Sequence, residues 1–237
     1  VLLFFRHAAT IPTGRRYIGR TEVPLSEHGR EQAESLAELL GDLPLAALYA
    51  SPQKRALDTA HLLAQKTGLP VLELEQLREI HLGAWEGLSM AEVARSRPEE
   101  YKARGNDFAG FRPPGGESFA DVSKRAQAAL EIMVRGPRPG IAFTHAGVLR
   151  ILACFALNVP LNRLFDFRPA HAACWAFELD APKQKTSPFP SPEKALPPCS
   201  PFLRHSLPFR PNLHLIGTNL SPLQARHLLL PLGSKHS

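Results

Sequence analysis

The chain has 237 residues, enough for one medium domain with a full core, and its hydrophobic fraction of 44% contains no run long enough to span a membrane. Its net charge of +6 hints at a polyanionic partner, but residues 1–180 carry 21 basic and 21 acidic side chains, so the whole excess lies in residues 181–237 and no general basic face is left for nucleic acid. Three scattered cysteines, Cys154, Cys174 and Cys199, form neither a disulfide framework nor a metal-binding pair; they fit buried thiols in a reducing compartment, which places the chain in the cytoplasm.

The first element is VLLFFRHAAT. Five apolar residues running into Arg6 and His7 predict a strand buried on both faces, with a fixed cation and an imidazole at its carboxyl end. In open α/β sheets that edge is where ligands bind. The run is too short for a signal peptide, and a chain starting at Val1 is expected to have its true start trimmed or just upstream. Next comes SEHGREQAESLAELLG, whose Ala33, Leu36, Ala37 and Leu40 share one helical face, with Ser26 as cap and Gly41 as stop. LAALYA is a second buried strand. It leads into SPQKRALDTAHLLAQKTG, a helix expected to use Ser51 as cap and Pro52 as its first residue, with Ala56, Ala60, Leu63 and Ala64 inward.

VLEL is a third strand. Residues 80–117 then break the alternation with Gly, Pro and charged residues, and are expected to form an inserted helical lid. SFADVSKRAQAALEIMVRGP restores it: Ser118 and Asp121 make a capping box, and Arg135, Gly136 and Pro137 a stop. GIAFTH is a fourth strand, GVLRILACFAL a helix and HAACWAFEL the last strand. Beyond it, residues 181–237 hold eleven of the 23 prolines and are expected to be mostly unstructured, apart from a short helix in SPLQARHLLL. Repeated strand–helix units imply an α/β fold, a sheet with helices on both faces.

Three strand ends carry reactive groups. The first ends in Arg6 and His7, the second delivers Ser51 and then Arg55, and the fourth ends in Thr144 and His145. If these strands are parallel neighbours, two arginines, two histidines and helix amino ends converge into a site for a dianion. Phosphate is the obvious one. A neutral imidazole nitrogen can attack phosphorus in line, and arginines neutralise the equatorial oxygens on which transition-state charge lies.

These residues carry a resemblance to a known family. FFRHAAT, YIGRTEVPLSEHGREQA, SPQKRALDTA, LREIHLGAWEGL, PPGGESF and FTHAGVLR are similar, in order, to the motifs of the histidine phosphatase superfamily, in the branch of the cofactor-dependent phosphoglycerate mutases and α-ribazole phosphatase. They cover nearly all of residues 1–180, which the resemblance makes a catalytic domain. The implied fold is a three-layer α/β/α sandwich with a mostly parallel sheet, phosphoglycerate mutase-like, with a short helical lid.

The resemblance implies roles as well. His7 is the phosphorylated nucleophile, Arg6 and Arg55 the phosphate clamp, and His145 a further partner of the phosphoryl oxygens. Glu79 protonates the leaving oxygen and then activates water, with Glu73, Glu75 and Glu86 as nearby rivals for that role. Thr10, Arg15, Ser51 and Ala146 are implied substrate contacts, and Lys102, Arg104 and Arg112 in the lid are candidates for specificity. Trp85 reads as a packing residue, and His81 and the tail histidines have no ligand spacing, so neither metal nor cofactor is expected.

The pattern departs from the family at Ala8, which replaces a glycine and would be crowded if its φ were positive, at Ala9, which replaces a frequent glutamate, and at Arg15, where the mutases have asparagine. The implied reaction is hydrolysis of a small-molecule phosphate monoester. The short lid and the PPGGESF junction look most like α-ribazole phosphatase of cobalamin lower-ligand assembly, with a broad-specificity phosphatase beside it. A mutase, or a non-catalytic phosphate-binding module, is the alternative. Oligomeric state is not legible in the sequence.

Overall fold

The computed structural model describes residues 1–179 and 213–229. Six strands form one sheet in the order β3-β2-β4-β1-β5-β6, where β1 is Leu2–Arg6, β2 Ala47–Ala50, β3 Val71–Glu73, β4 Gly140–Thr144, β5 Cys174–Leu179 and β6 Leu213–Leu220. The first four are mutually parallel, and β5 and β6 add an antiparallel edge.

The central place of β1 explains its unbroken apolar run. Leu2 and Phe4 pack on one side with α5 (Phe119–Arg135) and α6 (Ala146–Ala156), while Leu3 and Phe5 pack on the other with α1 (Glu27–Leu40) and α2 (Lys54–Thr67). All four side chains are fully buried. Burial of each contributes about 1.5–3 kcal/mol.

Caps and close contacts then aim the chain at the site. Ser26 accepts the Gly29 N–H at 3.0 Å and fixes the start of α1. Gly29 itself has no room for a side chain, because a Cβ there would lie 1.8 Å from the Ala9 carbonyl oxygen. That contact seats the loop after His7 against α1. The Ser118–Asp121 capping box forms as expected at the start of α5.

Two expectations need correction. Helix α2 begins at Lys54 with Gln53 at its cap position, so Ser51 is not a cap and Pro52 is not in the helix. Proline disfavours helical backbone at the residue before it, which keeps Ser51 out of the helix and leaves its hydroxyl for His145. The second correction concerns residues 181–237. Residues 213–220 form strand β6 on the edge of the sheet, and the expected short helix follows as α7 (Pro222–Leu229). As a half-exposed edge strand, β6 lacks the apolar run of a central one, and the surrounding prolines hid its pattern. The expectation for the remaining residues of that segment lies outside the described residues.

Between β3 and α5, residues 80–117 hold two short helices, α3 (Met90–Ser96) and α4 (Pro98–Asn106), as the lid reading expects. Trp85 is indeed a packing residue: it is fully buried between Tyr17 and Phe111, and its Nε1 donates to Glu100 at 2.7 Å. Among the described residues no helix is long and apolar enough to cross a membrane.

Candidate active site

Because β2, β4 and β1 are adjacent and parallel, with Arg6 opposite Thr144 and Ala50 opposite Phe143, their carboxyl ends align. Above them lies a cleft of about 320 Å³ lined by Arg6, His7, Arg55, Glu79, Arg150 and His171, with Thr10, Arg16 and Ala146 on its wall.

His7 is 5% exposed, and its Nδ1 lies 2.8 Å from the Ala8 carbonyl oxygen. A carbonyl only accepts, so Nδ1 carries the proton and Nε2 keeps a free lone pair. Burial, and then the charges of Arg6 and Arg55, hold the imidazole well below its ordinary pKa, so it is neutral at pH 7. The loop beyond is equally fixed. Ala8 N–H donates to Thr59 Oγ1 at 3.0 Å, Thr59 Oγ1 donates to the Arg55 carbonyl at 2.7 Å, and Ala9 N–H donates to Gln32 at 2.9 Å. Ala8 is not among the residues with positive φ, so its methyl group causes no strain.

Guanidinium groups surround this imidazole. Arg55 is 3% exposed and is held by the carbonyl oxygens of Thr21, at 3.0 Å, and Gly19, at 2.8 Å. Arg6 donates to the Pro169 carbonyl at 2.8 Å, while its buried Nε has no partner among the described residues. Burial lowers the Arg6 pKa to about 10, against the pull of Glu79. It remains charged at pH 7. His145 is fully buried, with its ring 5.2 Å from that of His7; its Nε2 and Ser51 Oγ form a hydrogen bond of 2.8 Å, and its Nδ1 is unpartnered. Beside a cationic cleft, an oxyanion would satisfy the buried Arg6 Nε, and His145 Nδ1 as well in the tautomer in which Ser51 donates to Nε2.

Glu79 is the only carboxylate among the lining residues. Its oxygens accept the Ile80 N–H at 2.9 Å and the Gly147 N–H at 3.0 Å. A Cβ at Gly147 would lie 2.1 Å from Glu79 Oε1, so a side chain there would displace the carboxylate. The backbone around Glu79 is pinned from several sides. Gln53 accepts the Glu79 N–H at 2.7 Å and donates to Gly19, while Arg125 donates to the carbonyls of Gln76, Arg78 and Glu79 and pairs with Glu117. The rivals are engaged elsewhere: Glu75 pairs with Arg78, Glu73 is exposed on β3, and Glu86 accepts backbone N–H groups of Gly19, Arg20 and Leu82.

The fold thus brings Arg6, His7, Thr10, Arg55, Glu79 and Ala146 to one cleft, with His145 and Ser51 buried at its base. Arg15 is not brought there: it is exposed, and the next residue, Arg16, lines the wall instead. The lid candidates also lie elsewhere. Arg104 sits 4.2 Å over the Phe108 ring, Arg112 pairs with Asp121, and Lys102 is exposed on α4. Sequence reading missed Arg150 and His171. Arg150 stands in the quoted FTHAGVLR, one helical turn after Ala146, which was the available signal; His171 had none beyond its place near a strand end.

Two buried neutral histidines make a testable prediction. Burial, with the charge of Arg55 behind it, depresses His145 as well. In the unfolded chain both imidazoles take up protons below about pH 6.5, whereas in the folded chain they stay neutral, so stability falls as pH drops from 6.5 towards the folded pKa values. The slope reaches about 1.4 kcal/mol per pH unit for each histidine. The urea midpoint should therefore be lower at pH 5.5 than at 7.5, above the range in which carboxylates titrate; an unchanged midpoint would show that the two histidines ionise in place.

Among the described residues no cluster of His, Cys, Asp and Glu has the geometry to hold a metal. Comparison with known proteins agrees with a phosphate site. A glucosyl-3-phosphoglycerate phosphatase of Mycobacterium tuberculosis is 35% identical over 171 residues, 68% of this chain and 76% of that protein. The α-ribazole phosphatase of Shigella flexneri superposes with a TM-score of 0.67 at 29% identity, over 76% of this chain and 90% of that one. The mycobacterial glucosyl-3-phosphoglycerate phosphatase solved with inorganic phosphate gives 0.71 at 27% identity, over 94% and 98%. Residues 2–187 match the family model for branch 1 of the histidine phosphatases, and with relatives of this kind the chain belongs to the histidine phosphatase superfamily and is one of its phosphatases.

Proposed function

We propose that the chain hydrolyses small-molecule phosphate monoesters through a phosphohistidine at His7. The observation that carries this is a neutral imidazole with a free Nε2 in a cleft lined by guanidinium groups and a single carboxylate. In the first half-reaction the Nε2 lone pair forms the N–P bond, the P–O ester bond breaks, and Glu79 gives its proton to the leaving alkoxide. Arg6 and Arg55 hold the transferring oxygens, with His145 Nδ1 and the amino end of α6 at Ala146 adding partial positive charge. In the second, Glu79 takes a proton from water, the water oxygen bonds to phosphorus, and the N–P bond breaks to release phosphate.

Two readings of the alcohol have support. The likeness to an α-ribazole phosphatase favours α-ribazole 5′-phosphate and a place in cobalamin lower-ligand assembly. A phosphorylated hydroxy acid is favoured by Arg150: its Nε is held by the Phe167 carbonyl at 3.0 Å, and its two terminal nitrogens have no protein acceptor among the described residues. A planar guanidinium fork left open in this way matches a carboxylate. Phosphate release should be measured from α-ribazole 5′-phosphate, 3-phosphoglycerate and an aryl phosphate, without added metal. The ester with the highest kcat/KM names the class, and aryl phosphate alone would mean broad specificity. An isomer accumulating in place of phosphate would mean a mutase, and binding without turnover a non-catalytic module.

A further inference from the structure

Four hydrogen bonds join residues 167–173 to the cleft. The carbonyl of Pro169 accepts from Arg6 Nη1 at 2.8 Å, and that of Phe167 from Arg150 Nε at 3.0 Å. Ala172 N–H donates to the His7 carbonyl, and Arg6 N–H to the Ala173 carbonyl, both at 3.3 Å. The same segment presents His171, whose ring lies 5.4 Å from that of His7. Two arginines, the nucleophile's backbone and a second histidine therefore take their positions from one irregular segment between the short 3₁₀ helix Leu161–Asp166 and β5.

A single side chain from the far end of the chain grips this segment. Asn219, near the end of β6, accepts the Ala170 N–H at 2.8 Å and the Trp175 Nε1–H at 3.2 Å through Oδ1, and donates from Nδ2 to the Arg168 carbonyl at 3.0 Å. Arg168 and Ala170 flank Pro169, whose carbonyl orients Arg6. Asn219 has φ +48°, a left-handed conformation that asparagine tolerates better than most residues.

We propose that Asn219 is a positioning residue for catalysis: by clamping Arg168 and Ala170 it sets the carbonyls that orient Arg6 and Arg150, which makes β6 part of the catalytic apparatus although it contributes no side chain to the cleft. The inference rests on the phosphatase reading of that cleft. It differs from a simple anchoring of the C-terminal segment, because that segment has an anchor of its own. Arg226 of α7 pairs with Asp42 and donates to the Leu39 carbonyl, and Ala225 is fully buried.

The test compares Asn219→Gly with Arg226→Ala in the full chain, using the best substrate of the wild type. Glycine keeps the left-handed backbone without strain and deletes all three hydrogen bonds. Misplacing clamp groups by about 1 Å costs on the order of 100-fold, so Asn219→Gly is expected to lower kcat/KM by about 10–100-fold and to weaken inhibition by inorganic phosphate in parallel. Arg226→Ala, which loosens only the anchor, should stay within about threefold at a similar loss of Tm. Asn219→Asp keeps the acceptor and loses the donor, and is expected to recover part of the activity; if the glycine variant does not fold, a loss of fivefold or more in Asn219→Asp at wild-type Tm decides in favour. The proposal is overturned if Asn219→Gly stays within threefold, if Arg226→Ala falls as far, or if a folded Asn219→Asp is the sole variant available and loses less than fivefold. An inactive wild type would instead overturn the phosphatase reading.

Discussion

Replacing His7 by alanine is expected to lower kcat/KM by on the order of 10⁴-fold or more, because in the proposed mechanism it removes the group that bonds to phosphorus rather than one that assists. The neighbouring imidazoles are not equivalent substitutes. His145 is fully buried with its Nε2 bonded to Ser51, and His171 has a ring centre 5.4 Å from that of His7. The fold should survive, since among the described residues the His7 ring makes one hydrogen bond, a local one to Ala8, and its burial opposes protonation rather than supplying a buried ion pair. Circular dichroism and kcat/KM measured together check this, and a variant that keeps activity within tenfold of wild type would remove His7 from the mechanism.

The second large effect concerns Glu79→Gln. Loss of general acid–base catalysis costs about 10²–10⁴-fold. The loss should depend on the leaving group. An alkyl alkoxide departs poorly without a proton and should feel the whole loss, whereas a nitrophenolate leaves unaided, so the phosphorylation step with an aryl phosphate should be nearly spared. Glutamine matches the carboxylate in volume, which matters where Gly147 leaves no free space. One of its ends is nevertheless an NH₂ facing an N–H donor, either Ile80 or Gly147, so a loss of Tm is expected beside the loss of rate. Equal losses for alkyl and aryl esters would show that Glu79 positions the substrate rather than moving a proton.

Most of the residues that converge on the candidate site were legible because strands and phosphate chemistry leave strong local marks. An apolar run ending in Arg6 and His7 can hardly be anything but a central strand with a polar end, and Arg55 and His145 occupy the corresponding places on β2–α2 and β4. What was missed depends on contacts distant in sequence. Gln53, read as an unremarked helix residue, ties Gly19 to Glu79 through two buried hydrogen bonds, and Arg125 on α5 holds three carbonyls of the loop before and at Glu79. Neither role follows from periodicity, since each is set by where two loops meet. Ser51 was read as a cap because Ser-Pro commonly opens a helix; the fold uses its hydroxyl on His145 and starts the helix three residues later. Arg15 and Arg16 show the limit of motif alignment: a shift of one position decides which guanidinium lines the wall. Strand β6 was hidden for a different reason, because an edge strand buries little and its sequence LHLIGTNL stands in a proline-rich, basic context.

The covalent intermediate is the central claim, and trapping it is the most direct test. Wild-type enzyme mixed with a good aryl phosphate should be quenched in base within the first turnovers, digested, and mapped by mass spectrometry. The account predicts a phosphoryl group on the peptide carrying His7, attached at Nε2, stable in base and lost in acid, and absent from His7→Ala. Full turnover with no trapped phosphoenzyme, or a phosphoryl group on any other residue, would contradict it.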